Sequence, residues 1–179
     1  MWALALVFLV IGIVTPGSGG PIDVGSAIVT AVVLLLATLP AVTAGTILVT
    51  RLPSNLVGWL LLIAGLAIAV TPAVSNLAGY GLNVHPGSVP GAVWLAIISD
   101  FSWLPVIACA LVYLPLLYPT GRLLSPRWRI VTVAGTGGFL VATIDSAVVP
   151  FPPGTYPPDV RNPLLLSGPL GDLPRYPIG

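Results

Sequence analysis

A chain of 179 residues that is 56% hydrophobic and 6% charged carries about a quarter of the charge of an ordinary soluble domain. It has no means of building a water-facing surface, and with a mean hydropathy of +1.06 it reads as an integral membrane protein. The net charge of +1 excludes a polybasic nucleic-acid binder, and one cysteine, Cys109, excludes a disulfide framework or a thiolate metal site.

Met1 to Val14 opens the chain as an apolar run. As a helix it would rise only about 21 Å, short of a hydrocarbon core roughly 30 Å thick. It lacks the basic n-region and the small-residue cleavage site of a signal peptide, and so reads as a first span without its opening turns. Four further stretches are long enough to cross: Ala27 to Thr50, Leu56 to Ala78, Gly91 to Leu117, and Ile130 to Val149. The expected architecture is all-α and polytopic, with about five transmembrane helices in residues 1–150. Residues 151–179 form a tail too broken by proline to be helical.

The connections alternate in charge. Thr15 to Gly25 and Gly79 to Pro90 contain no arginine, whereas Arg51 flanks the turn Leu52 to Asn55, and Arg122, Arg127 and Arg129 mark the next one. The positive-inside rule puts these four arginines on the cytoplasmic side. The expectation is a multi-pass plasma-membrane protein with a cytoplasmic N-terminus and an outside tail. Trp59, Trp94, Trp128, Tyr80 and Tyr118 fall near span ends, where amphipathic rings prefer the headgroup zone. The lipid bilayer is therefore the first partner.

Two stretches carry more than topology. "RLPSNLVGWLLLIAGLAIAV", Arg51 to Val70, resembles an R-x-P-x-N-x-x-G-W-L-L-L motif, with Asn55, Gly58 and Trp59 in place. "LLYPTGRLLSPRWR", Leu116 to Arg129, resembles an L-[FY]-P-[DT]-G-R-L-x-S-x-R-W-R loop through Pro119, Gly121, Arg122 and Trp128. Both motifs resemble the membrane-embedded input region of actinobacterial sensor histidine kinases. "PPDVRNPLLLSGPLG" is similar to that family's V-R-N-P-L-G segment at Asn162 and Pro163, with Leu165 where the family has glycine. The resemblance implies a transmembrane signal-input region of a two-component system. In the family a sixth span, a phospho-accepting histidine and an ATP-binding domain follow. The only histidine here, His85, lies between Val84 and Pro86 in a predicted outside loop. The resemblance therefore implies a product truncated before its kinase core, with no enzymatic activity of its own and with a homodimer or a kinase as partner. The alternative is a small stand-alone membrane protein, acting as a transporter subunit or an accessory partner.

Asp100 and Asp145 are the candidate sensing residues. Asp100 lies about 14 Å from the outer end of its span, where a charge costs about 2.5–3.5 kcal/mol on insertion scales. Ser99 and Ser102 flank Asp100, and Thr143 and Ser146 flank Asp145. Consecutive spans are antiparallel, so both carboxylates belong to the outer half, where a shared cavity would sense protons, cations or a polar ligand. The competing reading is structural, with Asp100 hydrogen-bonded to a neighbouring helix and Asp145 solvated. Pro40, Pro72, Pro105 and Pro115 are expected to kink their helices. Ala41 with Gly45, Gly65 with Ala69 and Ala134 with Gly138 permit close helix contact. The chain has no H-E-x-x-H or G-x-S-x-G motif, so no catalytic residue, metal or cofactor is expected.

Overall fold

The computed structural model describes residues 2–17, 24–123 and 125–165. Its elements run α1 (Trp2–Val14), α2 (Val24–Arg51), α3 (Leu56–Gly79), a π-helical extension (Tyr80–Val84), α4 (Ala92–Phe101), α5 (Leu104–Ile107), a π-helical stretch (Ala108–Tyr113), α6 (Leu114–Leu117) and α7 (Trp128–Val148). There is no strand among the described residues. Four segments are long and apolar enough to cross a membrane: Val24–Arg51, Leu56–Val84, Ala92–Leu117 and Trp128–Val148. The fold is an all-α membrane architecture, as composition requires. The first helix, of 13 residues, rises about 20 Å.

The central element is α3, against which α1, α2, α4, α5 and α6 all pack. It meets α2 through glycines. A Cβ at Gly45 would lie 2.9 Å from the Gly58 carbonyl oxygen, and one at Gly65 would lie 2.7 Å from Val42 Cγ2. Lipid tails are as apolar as leucine, so helix association in a bilayer depends on such close packing. Ala5 and Leu9 of α1 join Val42, Leu62 and Ala69 in one buried cluster. One turn before Val42 on α2, fully buried Thr38 has a hydroxyl with no hydrogen-bond partner among the described residues.

The small-residue pairs of α2 and α3 thus lie at the contact, but the pair expected on α7 does not. Ala134 and Gly138 are exposed, and a Cβ at Gly138 would meet nothing within 4 Å. The approach is made one residue along the helix, where Gly135 faces Val112. No residue of α7 is buried.

The prolines act unequally. Pro40 and Pro72 lie inside continuous helices, where hydroxyls bond nearby carbonyls: Thr46 Oγ1 to Val42 O at 2.7 Å and Thr71 Oγ1 to Ala67 O at 2.8 Å. Pro105 coincides with a break. Its ring would strike the Phe101 carbonyl four residues back, and it has no N–H to offer that oxygen; α4 ends at Phe101 and α5 begins at Leu104. Upstream of Pro115 the helix widens, the Leu114 N–H bonding the Cys109 oxygen five residues back. The segment read as one span, Gly91 to Leu117, is therefore interrupted, with Asp100 beside the break.

Candidate functional site

The arginine-bearing turns share one end of the bundle. Asn55 caps α3 by accepting from the Val57 N–H at 2.9 Å, and its amide donates to Pro119 O at 3.4 Å. Trp59 Nε1 donates to Pro53 O at 3.1 Å, pinning the same turn. Gly58 is buried, with Leu48 Cβ 2.8 Å from where its Cβ would be. The Tyr118–Pro119 bond is cis, and Gly121 holds a φ of +73°. Arg51, Arg122, Arg127, Arg129 and Trp128 are all exposed here. The two long motifs therefore meet in space, although Asn55 and Pro119 are 64 residues apart in the chain.

The tail gathers at the opposite end. Asn162, 4% exposed, donates to Ala147 O at 2.8 Å and Val149 O at 2.7 Å, and accepts from the Leu164 N–H at 2.8 Å. It thereby occupies carbonyls left without helical partners at the end of α7. Pro163 beside it is exposed. This clasp folds the tail back onto α3 and α4. Phe151, Tyr156 and Val160 pack on the cluster of Ala78, Leu82, Ala92 and Ala96, with the Phe151 and Tyr156 rings edge to face at 5.1 Å. The proline-broken segment is thus non-helical where described, yet it is docked against the helices.

Two asparagines of the α3 rod bind this end together. Asn76 donates to Gly12 O, and Asn83 donates to Gly17 O at 3.4 Å and Thr155 O at 3.2 Å. Ser75, Asn76, Asn83, Thr155, Tyr156 and Gly17 help line a polar cavity of about 430 Å³. The His85 ring is exposed and tilted against Tyr80, 5.0 Å between centroids.

Tyr156 joins this region to the interrupted segment. Its ring packs on the cluster that contains Ala96, one turn from Ser99 and half-buried Asp100, and both act electrostatically on its phenol. Burial pushes the Tyr156 phenol above its ordinary range, a shift that Ser99 partly offsets and Asp100 adds to. Ser99 Oγ donates to Ala96 O at 2.8 Å and Ser102 Oγ to Ser99 O at 3.0 Å, so both serine protons go to helix carbonyls. Trp103 Nε1 donates to the Asp100 backbone oxygen at 2.9 Å, covering a carbonyl at the break.

The structure thus brings Ser99, Asp100 and Tyr156 together, with Ser102 buried a turn along. Asp145 is exposed on α7. Neither carboxylate lines the 430 Å³ cavity or the 560 Å³ cavity beneath the tail. Tyr156, Asn76 and Asn83 were not singled out by the sequence reading. The available signal was two asparagines in an otherwise apolar rod, since polar side chains in such segments are costly unless bonded. Among the described residues, no group of histidine, cysteine and acidic side chains could hold a metal ion.

Fold and site together define an all-α multi-pass membrane protein with an interrupted third crossing segment and a docked tail. No protein-family model, curated protein or solved structure matches the chain.

Proposed function

We propose that the chain is a transmembrane signal-input region of the sensor-histidine-kinase type, receiving its signal at the tail end. The observation carrying this reading is the docking of the tail, through Phe151, Tyr156 and Val160, on the cluster that contains Ala92 and Ala96, just before Asp100 and the point where the third crossing segment loses its helix. A tail held by hydrogen bonds and a few apolar contacts is a movable element, and its reach to a carboxylate at a helix break couples outside chemistry to helix geometry. The interlocked turns of Asn55 and Gly121 supply a firm base at the other end. In this reading the four arginines face the cytoplasm, the N-terminus lies inside the plasma membrane, and the working unit is a homodimer joined to a kinase.

The test is a fusion of the chain, through an added membrane helix, to a histidine-kinase core. Phosphotransfer to a response regulator is followed while outside pH and cation concentration are varied. The reading requires a graded response that Tyr156→Phe and Asp100→Asn each abolish without lowering the amount of folded protein. Constant phosphotransfer under all conditions, or a response untouched by both variants, overturns it. The interrupted segment with its carboxylate also suits a transporter subunit. That second reading requires solute-dependent proton movement in vesicles containing the chain alone.

A further inference from the structure

At the arginine end, a cavity of about 610 Å³ opens between α3, α6 and α7. Leu56, Trp59 and Ile63 of α3 form one wall, Leu117 and Thr132 contribute the other, and Arg122, which also lines it, is exposed. The lining is almost entirely apolar. From Leu56 to Ile63 the wall runs about 10 Å along the helix, parallel to a crossing segment.

The charges at this end are one-sided. Arg51, Arg122, Arg127 and Arg129 are exposed here, whereas the described aspartates, Asp100, Asp145 and Asp159, belong to the half of the molecule toward the tail. Exposed Trp59, Trp128 and Tyr118 mark the level of the headgroups. An apolar slot with a cation at its interfacial mouth matches one abundant neighbour in its own solvent. We propose that the cavity binds one anionic phospholipid, with its phosphate on Arg122 and an acyl chain along α3 beside Ile63 and Thr132. The planar guanidinium offers paired donors to a phosphate, and the surrounding arginines favour a headgroup with no cation of its own. A choline headgroup brings a cation into this field and is disfavoured.

The experiment is native mass spectrometry of the full chain in detergent, titrated with phosphatidylglycerol or phosphatidylcholine of identical acyl chains. The expected result is a single phosphatidylglycerol retained several-fold more than phosphatidylcholine. Arg122→Gln removes the preference and Arg122→Lys keeps part of it. Arg161→Gln, an exposed arginine at the tail end, leaves it unchanged. Ile63→Trp fills the slot and lowers retention of both lipids; if that variant does not fold, the Arg122 pair decides. Excess inorganic phosphate does not displace the lipid. The proposal is overturned by equal retention of the two lipids by the wild-type chain. It is also overturned by equal losses in Arg161→Gln and Arg122→Gln, or by displacement with phosphate, which would mark a free-anion site.

Discussion

The side chain of Asn55 occupies the space that a Cβ at Gly121 would need. Two turns far apart in sequence are thereby keyed to each other: the cap of α3 requires glycine in the second turn. That turn also needs glycine for its positive φ.

Gly121→Ala is therefore expected to destabilise the protein by about 1–3 kcal/mol, from a left-handed backbone at a non-glycine residue and collision with Asn55. Gly137→Ala is the control. A Cβ there meets nothing within 4 Å, inside α7, so it should stabilise by about 0.4–1 kcal/mol. Thermal unfolding of both variants in detergent decides, and equal midpoints would show that the two turns are not keyed.

Asp100 should tolerate asparagine better than leucine. Asparagine keeps a polar side chain beside Ser99 at the break, whereas leucine can make no hydrogen bond there and should cost about 1–2 kcal/mol. Detergent melting curves that rank leucine equal to asparagine would deny Asp100 a polar role.

Tyr156 links stability to alkaline pH. Its folded phenol binds its proton more tightly than the unfolded one, because burial disfavours phenolate. Stability is then unaffected near neutrality and falls as pH rises above the ordinary phenol value of about 10. The loss continues until the folded phenol also ionises. In Tyr156→Phe this component of the alkaline loss is absent. Ultraviolet titration of tyrosinate should show that the phenol missing from the variant is one that ionises late. A missing phenol with an ordinary midpoint would contradict its burial.

Thr38→Val is expected to stabilise. The hydroxyl is fully buried with no hydrogen-bond partner among the described residues, and a methyl of the same shape removes its desolvation cost, a gain of about 1 kcal/mol. A lower unfolding midpoint for the valine variant would mean that the hydroxyl has a partner.

How much of this was legible in sequence follows from the range of the interactions. The crossing segments announce themselves because hydrophobicity is summed over some twenty residues; α2 and α7 lie within three residues of the expected ends. The third segment was read as unbroken because apolar composition says nothing about backbone hydrogen bonding. Pro105 and Pro115 marked it, yet Pro40 and Pro72, equally visible, sit in continuous helices. Spacing alone also placed the close approach of α7 at Ala134 and Gly138, because it cannot tell which helix face turns inward; Gly135 is the residue against Val112. At the candidate site, Ser99 and Asp100 stood out by polarity in an apolar run. Tyr156 did not, since its meaning comes from a fold-back fixed by Asn162.

The thin seam along α7 has a mechanical consequence. None of its residues is buried; it packs along α4 and along the π-helical stretch, against the latter through the Tyr113–Thr136 hydroxyl pair at 2.6 Å and the Gly135–Val112 contact. At its tail end the Asn162 clasp holds its last carbonyls. With no buried residue to lock it, such a rod has less packing to break on an axial shift than α3 would, and a pull on the clasp would act along it toward Trp128 and the turn beyond.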